Sequence, residues 1–403
     1  MNVLFLGISA SIKGPRDGIT YPFIVKEMKA LLERGVTVYF LARHIDAHDE
    51  IDGVTYLSLD ELVGRHRVVR ALQLIRYFLL HLRPLLRLAV CDVNRTKSVI
   101  FAEIGIAQAI RQYDIDILHT HFLWPAGEAG VLSAGDCRIP VVATLRGAEL
   151  INRPDIDYGA MTNPFNRVAA HVAFPRISHF TTPNQYLSEV LVKDYGVPPS
   201  RVTYLPNGVE KIDPPAGKRH SGEHLKLLAI GRVIKLKNHS LLVDAASLAD
   251  DAEFEIVIIG EGRLRDQLQR EIETRGQQKI RLHHEVSKSE LYEMMTDADC
   301  IVHPSLSEGM PNVVLEAFAL GRPCLASDIP VHRELIEEGA NGWLFDPHNA
   351  NELLEKIRQI IPRRNELSGM EVRCREVAAG FTLSRKVDGY LGIYEQVLNF
   401  GAD

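Results

Sequence analysis

The run from Ser305 to Pro323, Ser-Leu-Ser-Glu-Gly-Met-Pro-Asn-Val-Val-Leu-Glu-Ala-Phe-Ala-Leu-Gly-Arg-Pro, constrains this chain more than any other. It follows an apolar strand candidate, Asp299-Cys300-Ile301-Val302-His303, and closes on Gly321-Arg322-Pro323, a helix stop. Between them the residues predict a turn at Glu308-Gly309 and a helix opening near Pro311, which suits a first helical turn because proline has no N–H to leave unpaired. The backbone amides of Met310, Asn312, Val313 and Val314 would then point outward at the positive end of a helix dipole, an anion site suited to phosphate. Glu308 precedes that helix and Glu316 lies on its second turn, within reach of a sugar attached to the phosphate. The plain alternative is a strand, turn and helix with two solvated carboxylates.

The same grammar runs through the chain. Val3 to Leu6 is a short apolar strand of the kind buried in a parallel sheet, followed by a loop with Gly7, Gly14 and Gly18, a helical pattern from Thr20 to Arg34 and a second strand from Val36 to Leu41. Such a loop lets backbone approach a diphosphate, but it lacks the Gly-x-Gly-x-x-Gly spacing and the acidic residue of an NAD site. Further strands are predicted at Asp116–His121, Pro140–Gly147 and His179–Asn184. Ligands of open α/β sheets bind beyond the carboxyl ends of strands, which makes His121, Thr144, Arg146 and Glu149 site candidates. The segment Asp213-Pro-Pro-Ala-Gly-Lys-Arg-His-Ser-Gly222 reads as a linker, after which the alternation restarts at Leu225. With 403 residues, two domains are the default.

The Glu308-x7-Glu316 stretch, with Ser-Glu-Gly before it and Ala-Phe-Ala-Leu-Gly-x-Pro after it, resembles the signature of the family 4 retaining glycosyltransferases. Asp17 to Val25 resembles the opening loop of bacterial polysaccharide members, and His119-Thr120-His121 and Thr144-Leu145-Arg146-Gly147 resemble the family's His-x-His and Thr-x-His-Gly segments, with Arg146 in place of a histidine. The resemblance implies an α/β, GT-B fold: two facing, doubly wound Rossmann-like domains with a cleft between them. They would be an acceptor domain over 1–208 and a nucleotide-sugar domain over 225–382, joined by a linker at 209–224. A terminal helix at 383–400 would cross back to the first domain.

It also implies a retaining hexosyl or N-acetylhexosaminyl transfer from a nucleoside-diphosphate sugar, with UDP preferred over GDP, to a saccharide or lipid-linked acceptor in bacterial surface polysaccharide synthesis. Arg232 and Lys237 match the positions that contact the diphosphate, and Glu308 the one beside the donor sugar. Gly18, Gly309, Met310, Pro311, Asn312 and Val313 would line the phosphates. Backbone at Val286 and Lys288 would meet the base, and Glu316 would hold the ribose. Glu308, His121, Arg232 and Lys237 are the catalytic candidates, with Thr144, Arg146 and Glu149 on the acceptor. A non-catalytic nucleotide-sugar-binding subunit and an epimerase on the same scaffold stay open.

Breaking a nucleotide-sugar bond builds negative charge on the distal phosphate, and fixed cations and dipoles can neutralise it without a metal or other cofactor. Asp114-Ile115-Asp116 precedes its strand, and Asp155-Ile156-Asp157 lies in a breaker-rich loop, so neither reads as a metal motif. A formal charge of −6 argues against a nucleic-acid binder. Five scattered cysteines suit free thiols in a reducing compartment. The start reads as a strand rather than a secretory signal, and a cytoplasmic location is expected.

Residues 64–97 break the alternation: eight arginines and lysines meet one acid, Asp92. Arg65, Arg76, Arg83 and Arg87 fall on one helical face among Leu72, Leu79, Leu80, Leu82 and Leu86, with a break or kink expected at Pro84. Two readings are open, a buried helical pair with snorkelling arginines or a docking surface for an anionic inner leaflet.

Overall fold

The structure, a computed structural model, describes residues 1–7, 22–42, 48–64, 67–123, 129–212, 224–249 and 254–400. The chain divides into two compact units: residues 1–154, 158–206 and 383–403 form one, and residues 155–157 and 207–382 the other. Gly18 and Arg65 lie outside the described residues.

The first unit is built on eight strands: β1 (Asn2–Gly7), β2 (Thr37–Ala42), β3 (Asp49–Ile51), β4 (Val54–Ser58), β5 (Ile117–His121), β6 (Val141–Thr144), β7 (His179–Thr182) and β8 (Val202–Tyr204). Their order is β3-β4-β2-β1-β5-β6-β7-β8, parallel throughout except for β3. Alternation along β1 explains why the sheet is apolar on both faces. Leu4 and Leu6 enter one core, with Val99, Ile100 and Phe165. Val3 and Phe5 enter the other, with Met28 of the helix Pro22–Leu32 and Val387, Tyr390 and Tyr394 of the terminal helix Leu383–Phe400. The terminal helix thus belongs to the first unit, although the second unit precedes it in the chain.

The second unit carries β9 (Leu225–Ile230), β10 (Phe254–Ile259), β11 (Ile280–His283), β12 (Cys300–His303), β13 (Cys324–Ser327) and β14 (Gly342–Phe345) in the order β11-β10-β9-β12-β13-β14, all parallel. Leu227 and Ala229 face one core; Leu228 and Ile230 face another, which takes Val314, Leu315, Ala317 and Phe318 of the helix Asn312–Ala319. All five cysteines are free; Cys300, Cys324 and Cys374 are buried and Cys91 is exposed.

Two corrections come from residues 64–97. The helical run breaks at His81 (φ −112°, ψ 35°), and Pro84 sits in the first turn of the following helix, Leu82–Cys91. A proline ring collides with the carbonyl four residues earlier, so the break must precede it, and the first turn is where its missing N–H costs nothing. The leucines are also not buried: Leu72, Leu79 and Leu80 are 63%, 63% and 68% exposed. Among the described residues no helix is long and apolar enough to cross a membrane.

Candidate functional site

In the second unit β9 is the first strand of its sheet, with β10 on one side and β12 on the other, so the loops leaving β9 and β12 meet where the strand order reverses. The β9 loop, Gly231 to Asn238, is held flat against Gly260-Glu261-Gly262. The Val233 N–H donates to the Glu261 carbonyl (2.7 Å), and a Cβ at Gly260 or Gly262 would stand 2.0 Å from the Gly231 oxygen or 2.4 Å from the Val233 oxygen. Both glycines have φ of 156°, so only glycine suits this approach. A short 3-10 turn, Lys235–Lys237, then swings Lys237 toward the β12 loop.

There Lys237 Nζ lies 2.5 Å from Glu308 Oε1, with side chains only 15% and 12% exposed. His303, the last residue of β12, places Nε2 3.1 Å from the same oxygen. Burial alone would push the Glu308 carboxyl up, but Lys237 and His303 outweigh it and hold it well below the usual carboxylate range. An ionised carboxylate can only accept, so His303 Nε2 carries the hydrogen. Burial, together with Lys237 and His303, lowers His239 to about 3. His332 is lowered to about 3, by burial first and then by His303. The group around Glu308 is therefore one carboxylate, one ammonium and neutral imidazoles. His303 was not singled out from the sequence, although a histidine ending the strand before the motif was a signal for it.

The helix N-terminus differs in detail from the expectation. Pro311 is the N-cap (φ −80°, ψ 89°) and not a residue of the first turn. Its carbonyl accepts from Val314 (2.9 Å) and Leu315 (3.3 Å), so the Val314 amide is spent within the turn. The amides of Asn312 and Val313 make no hydrogen bond among the described residues. Gly309, Met310 and Pro311 are buried, and the Asn312 side chain is exposed and accepts from Asn207 Nδ2 at 3.0 Å. Arg232 is exposed on the β9 loop. Glu316, on the second turn, accepts from the Tyr292 hydroxyl at 3.3 Å. Lys288 stands over the Tyr292 ring at 5.2 Å, and Val286 is half-buried against the same core as Tyr292. The structure so brings Lys237 and Glu308 into contact and links Lys288 to Glu316 through Tyr292.

In the first unit His121, Thr144, Arg146 and Glu149 gather at the carboxyl ends of β5 and β6, but each is held by protein neighbours. Arg146 Nη2 donates to Glu27 Oε2 (2.7 Å) and to His121 Nδ1 (2.8 Å). A guanidinium only donates, so neutral His121 keeps its hydrogen on Nε2, which has no hydrogen-bond partner among the described residues. Burial first, and then the charges of Arg146 and Lys386, hold His121 well below its ordinary value. The Thr144 hydroxyl contacts His119 (2.8 Å), Thr181 (2.8 Å) and Tyr390 (3.3 Å). Glu149 accepts from the amides of Arg146 (2.8 Å) and Gly147 (2.7 Å). Glu27 and Lys386, both nearly inaccessible, complete the cluster with Nζ 3.5 Å from Oε1. Neither was visible in the sequence, because each occupies a position of an amphipathic helix where a solvated charge is ordinary.

Among the described residues no group of three or more His, Cys, Asp or Glu side chains could hold a metal ion. Of the two Asp-x-Asp segments, the first is spent at the amino ends of the central strands β1 and β5, where Asp116 accepts from the Asn2 amide at 2.7 Å.

Two sequence profiles match this chain: one described as Glycosyltransferase Family 4 over residues 23–211, and one described as Glycosyl transferases group 1 over residues 213–377. An uncharacterized glycosyltransferase of Methanocaldococcus jannaschii is 25% identical over 288 residues, covering 72% of this chain and 77% of that one. A UDP-Gal:alpha-D-GlcNAc-diphosphoundecaprenol alpha-1,3-galactosyltransferase of Escherichia coli is 28% identical over 229 residues, covering 52% of this chain and 58% of that one. The crystal structure of a glycosyltransferase from Rickettsia africae superposes with a TM-score of 0.73 at 16% identity, over 98% of both chains.

Proposed function

We propose that this chain, a glycosyltransferase of the family 4, GT-B type, moves a sugar with retention from a nucleoside-diphosphate sugar to a saccharide or lipid-linked acceptor of bacterial surface polysaccharide synthesis. The observation that carries the reading is the Lys237–Glu308 pair at the reversal of strand order, beside a helix N-terminus with open amides at Asn312 and Val313. A lysine ammonium has three N–H donors, and Glu308 uses one. The others are available for phosphate oxygens, with exposed Arg232 and the two amides adding positive potential.

As the bond from the anomeric carbon to the phosphate oxygen breaks, negative charge gathers on the departing diphosphate, and these groups offset it. The reading makes no demand for a metal. Glu308, held as a carboxylate by Lys237 and His303, is no proton donor; it serves as an acceptor and a negative charge beside the sugar. Glu316 is assigned to the ribose hydroxyls, and backbone at Val286 and Lys288 to the base. UDP is the nucleotide we favour, supported by the UDP-galactose donor of the Escherichia coli relative, whose diphosphoundecaprenol-linked acceptor also supports a lipid-linked substrate. In the first unit His121 is assigned to the acceptor; Thr144, Arg146 and Glu149, which are all engaged by neighbours, shape the strand ends around it. We place the reaction in the cytoplasm.

The test is incubation with a panel of nucleotide sugars, following the nucleoside diphosphate released and the anomer formed. Slow release with the donor's anomeric configuration kept is expected. Binding without release would indicate a non-catalytic subunit, and an altered nucleotide sugar an epimerase.

A further inference from the structure

Exposed apolar surface in this protein is concentrated. Of the twelve large apolar side chains exposed among the described residues, eight fall between Leu72 and Val93, so they form a patch rather than the scattered exposure of an ordinary surface. In the helix Arg67–Leu80, Leu72, Ile75 and Leu79 recur at helical spacing on the outer side; in the helix Leu82–Cys91, Leu82, Leu86 and Val90 do the same. Arg76, Arg83 and Arg87 are exposed beside them.

The inner side is fixed. Tyr77, Leu85 and Leu88 are buried, and Leu74 and Phe78 pack on the same core. The Tyr77 hydroxyl donates to the buried Glu103 carboxylate at 3.3 Å, and His81 Nε2 lies 3.0 Å from Asp136. With that side anchored by both apolar and polar contacts, the helices cannot turn their leucines inward.

We infer that these two helices dock the protein on an anionic lipid leaflet, with the outer leucines entering the acyl boundary and the three arginines on lipid phosphates. The helices are too short and too charged to span, which leaves the interfacial position. A second copy of the chain is the weaker occupant. A two-fold contact would set this surface against itself, and residues 67–91 contain arginines but no acid to pair them with. The acids beside it are engaged: Asp92, next in the chain, caps the following helix by accepting from the Arg95 amide at 2.9 Å, Asp136 meets His81, and Asp60 pairs with Arg70 at 3.2 Å. The inference rests on this surface alone and holds whether or not the transferase reading does.

Co-sedimentation of the full chain with phosphatidylglycerol-containing vesicles, and with pure phosphatidylcholine vesicles, tests it. Binding to the anionic vesicles at low salt, weakened as salt is raised, is expected. Each arginine near an anionic surface adds about fivefold, so Arg76→Gln, Arg83→Gln and Arg87→Gln together should lower partitioning about a hundredfold. Leu79→Ser with Leu86→Ser, both at exposed positions, should weaken binding at every salt concentration. No sedimentation with anionic vesicles at low salt overturns the inference. So does unchanged binding of the triple variant, or a concentration-dependent dimer, seen by sedimentation equilibrium, that the leucine changes abolish.

Discussion

Lys237 and Glu308 form an ion pair of 2.5 Å, between the loops that leave two adjacent strands of the second sheet, with both side chains mostly withdrawn from water. Removing one partner of such a pair strands the other charge and costs about 3–5 kcal/mol, whereas an apolar replacement of both is far milder. Glu308→Ala is therefore expected to lower the unfolding free energy by about 3 kcal/mol, and the Lys237→Met/Glu308→Leu double variant to cost less than the two single changes added. Urea titration measures all three. The pH dependence has a fixed sign: the folded carboxyl titrates below its unfolded value, so its stabilisation is complete above the ordinary glutamate pKa of about 4.3. It fades as pH falls toward the folded value. The gap between parent and Glu308→Ala should close in acid.

Much of this arrangement could be read from residue order. The largely apolar runs at β1, β9, β10 and β12, each with at most one or two polar residues near an end, announced a parallel sheet, because strands covered on both faces have no regular polar alternation. Lys237 and Glu308 were both candidates, but 71 residues separate them, and only the sheet order shows that they touch. The β3–β4 hairpin was overlooked, although Asp52-Gly53 is a strong hairpin signal and the two residues adopt φ of 52° and 80°. Glu27 and Lys386 could not be found from the sequence, since a glutamate and a lysine 359 positions apart meet only when the terminal helix returns to the first sheet.

Chelation should leave activity intact. On the proposed reading, Lys237, Arg232 and the amides of Asn312 and Val313 would supply the positive charge and dipoles for a departing diphosphate. Donor turnover in excess EDTA should match the untreated rate within error. Complete loss, restored by magnesium or manganese, would overturn this.

Glu316→Gln should weaken binding of UDP by about 1.5–3 kcal/mol while leaving the unfolding midpoint nearly unchanged, since a ribose hydroxyl donating to a carboxylate makes a charged hydrogen bond and the residue is only half-buried. Tyr292→Phe, which removes the 3.3 Å bond that steadies the carboxylate, should have a smaller effect in the same direction. Titration calorimetry reads both. Equal affinity in parent and Glu316→Gln would place the ribose elsewhere.

Lys386 gives the protein a second pH signature, of opposite slope to a stabilising lysine. Its Nζ is 3.5 Å from Glu27, yet burial and the neighbouring Arg146 charge outweigh that attraction and lower it from 10.5 to about 7. Below pH 7 the folded and unfolded chains both hold the proton, and the folded one bears the full cost of a buried ammonium. Between pH 7 and 10.5 the unfolded chain keeps a proton that the folded chain has released, so this site makes stability rise with pH. Lys386→Met removes the slope. Arg146, 2.7 Å from Glu27, compensates that carboxylate in both proteins, so any remaining offset is independent of pH in this window. Parent minus variant melting temperature should therefore increase from pH 6.5 to pH 9.5. A flat or falling difference would mean that Lys386 stays charged in the folded protein throughout, held by Glu27 more firmly than its burial opposes.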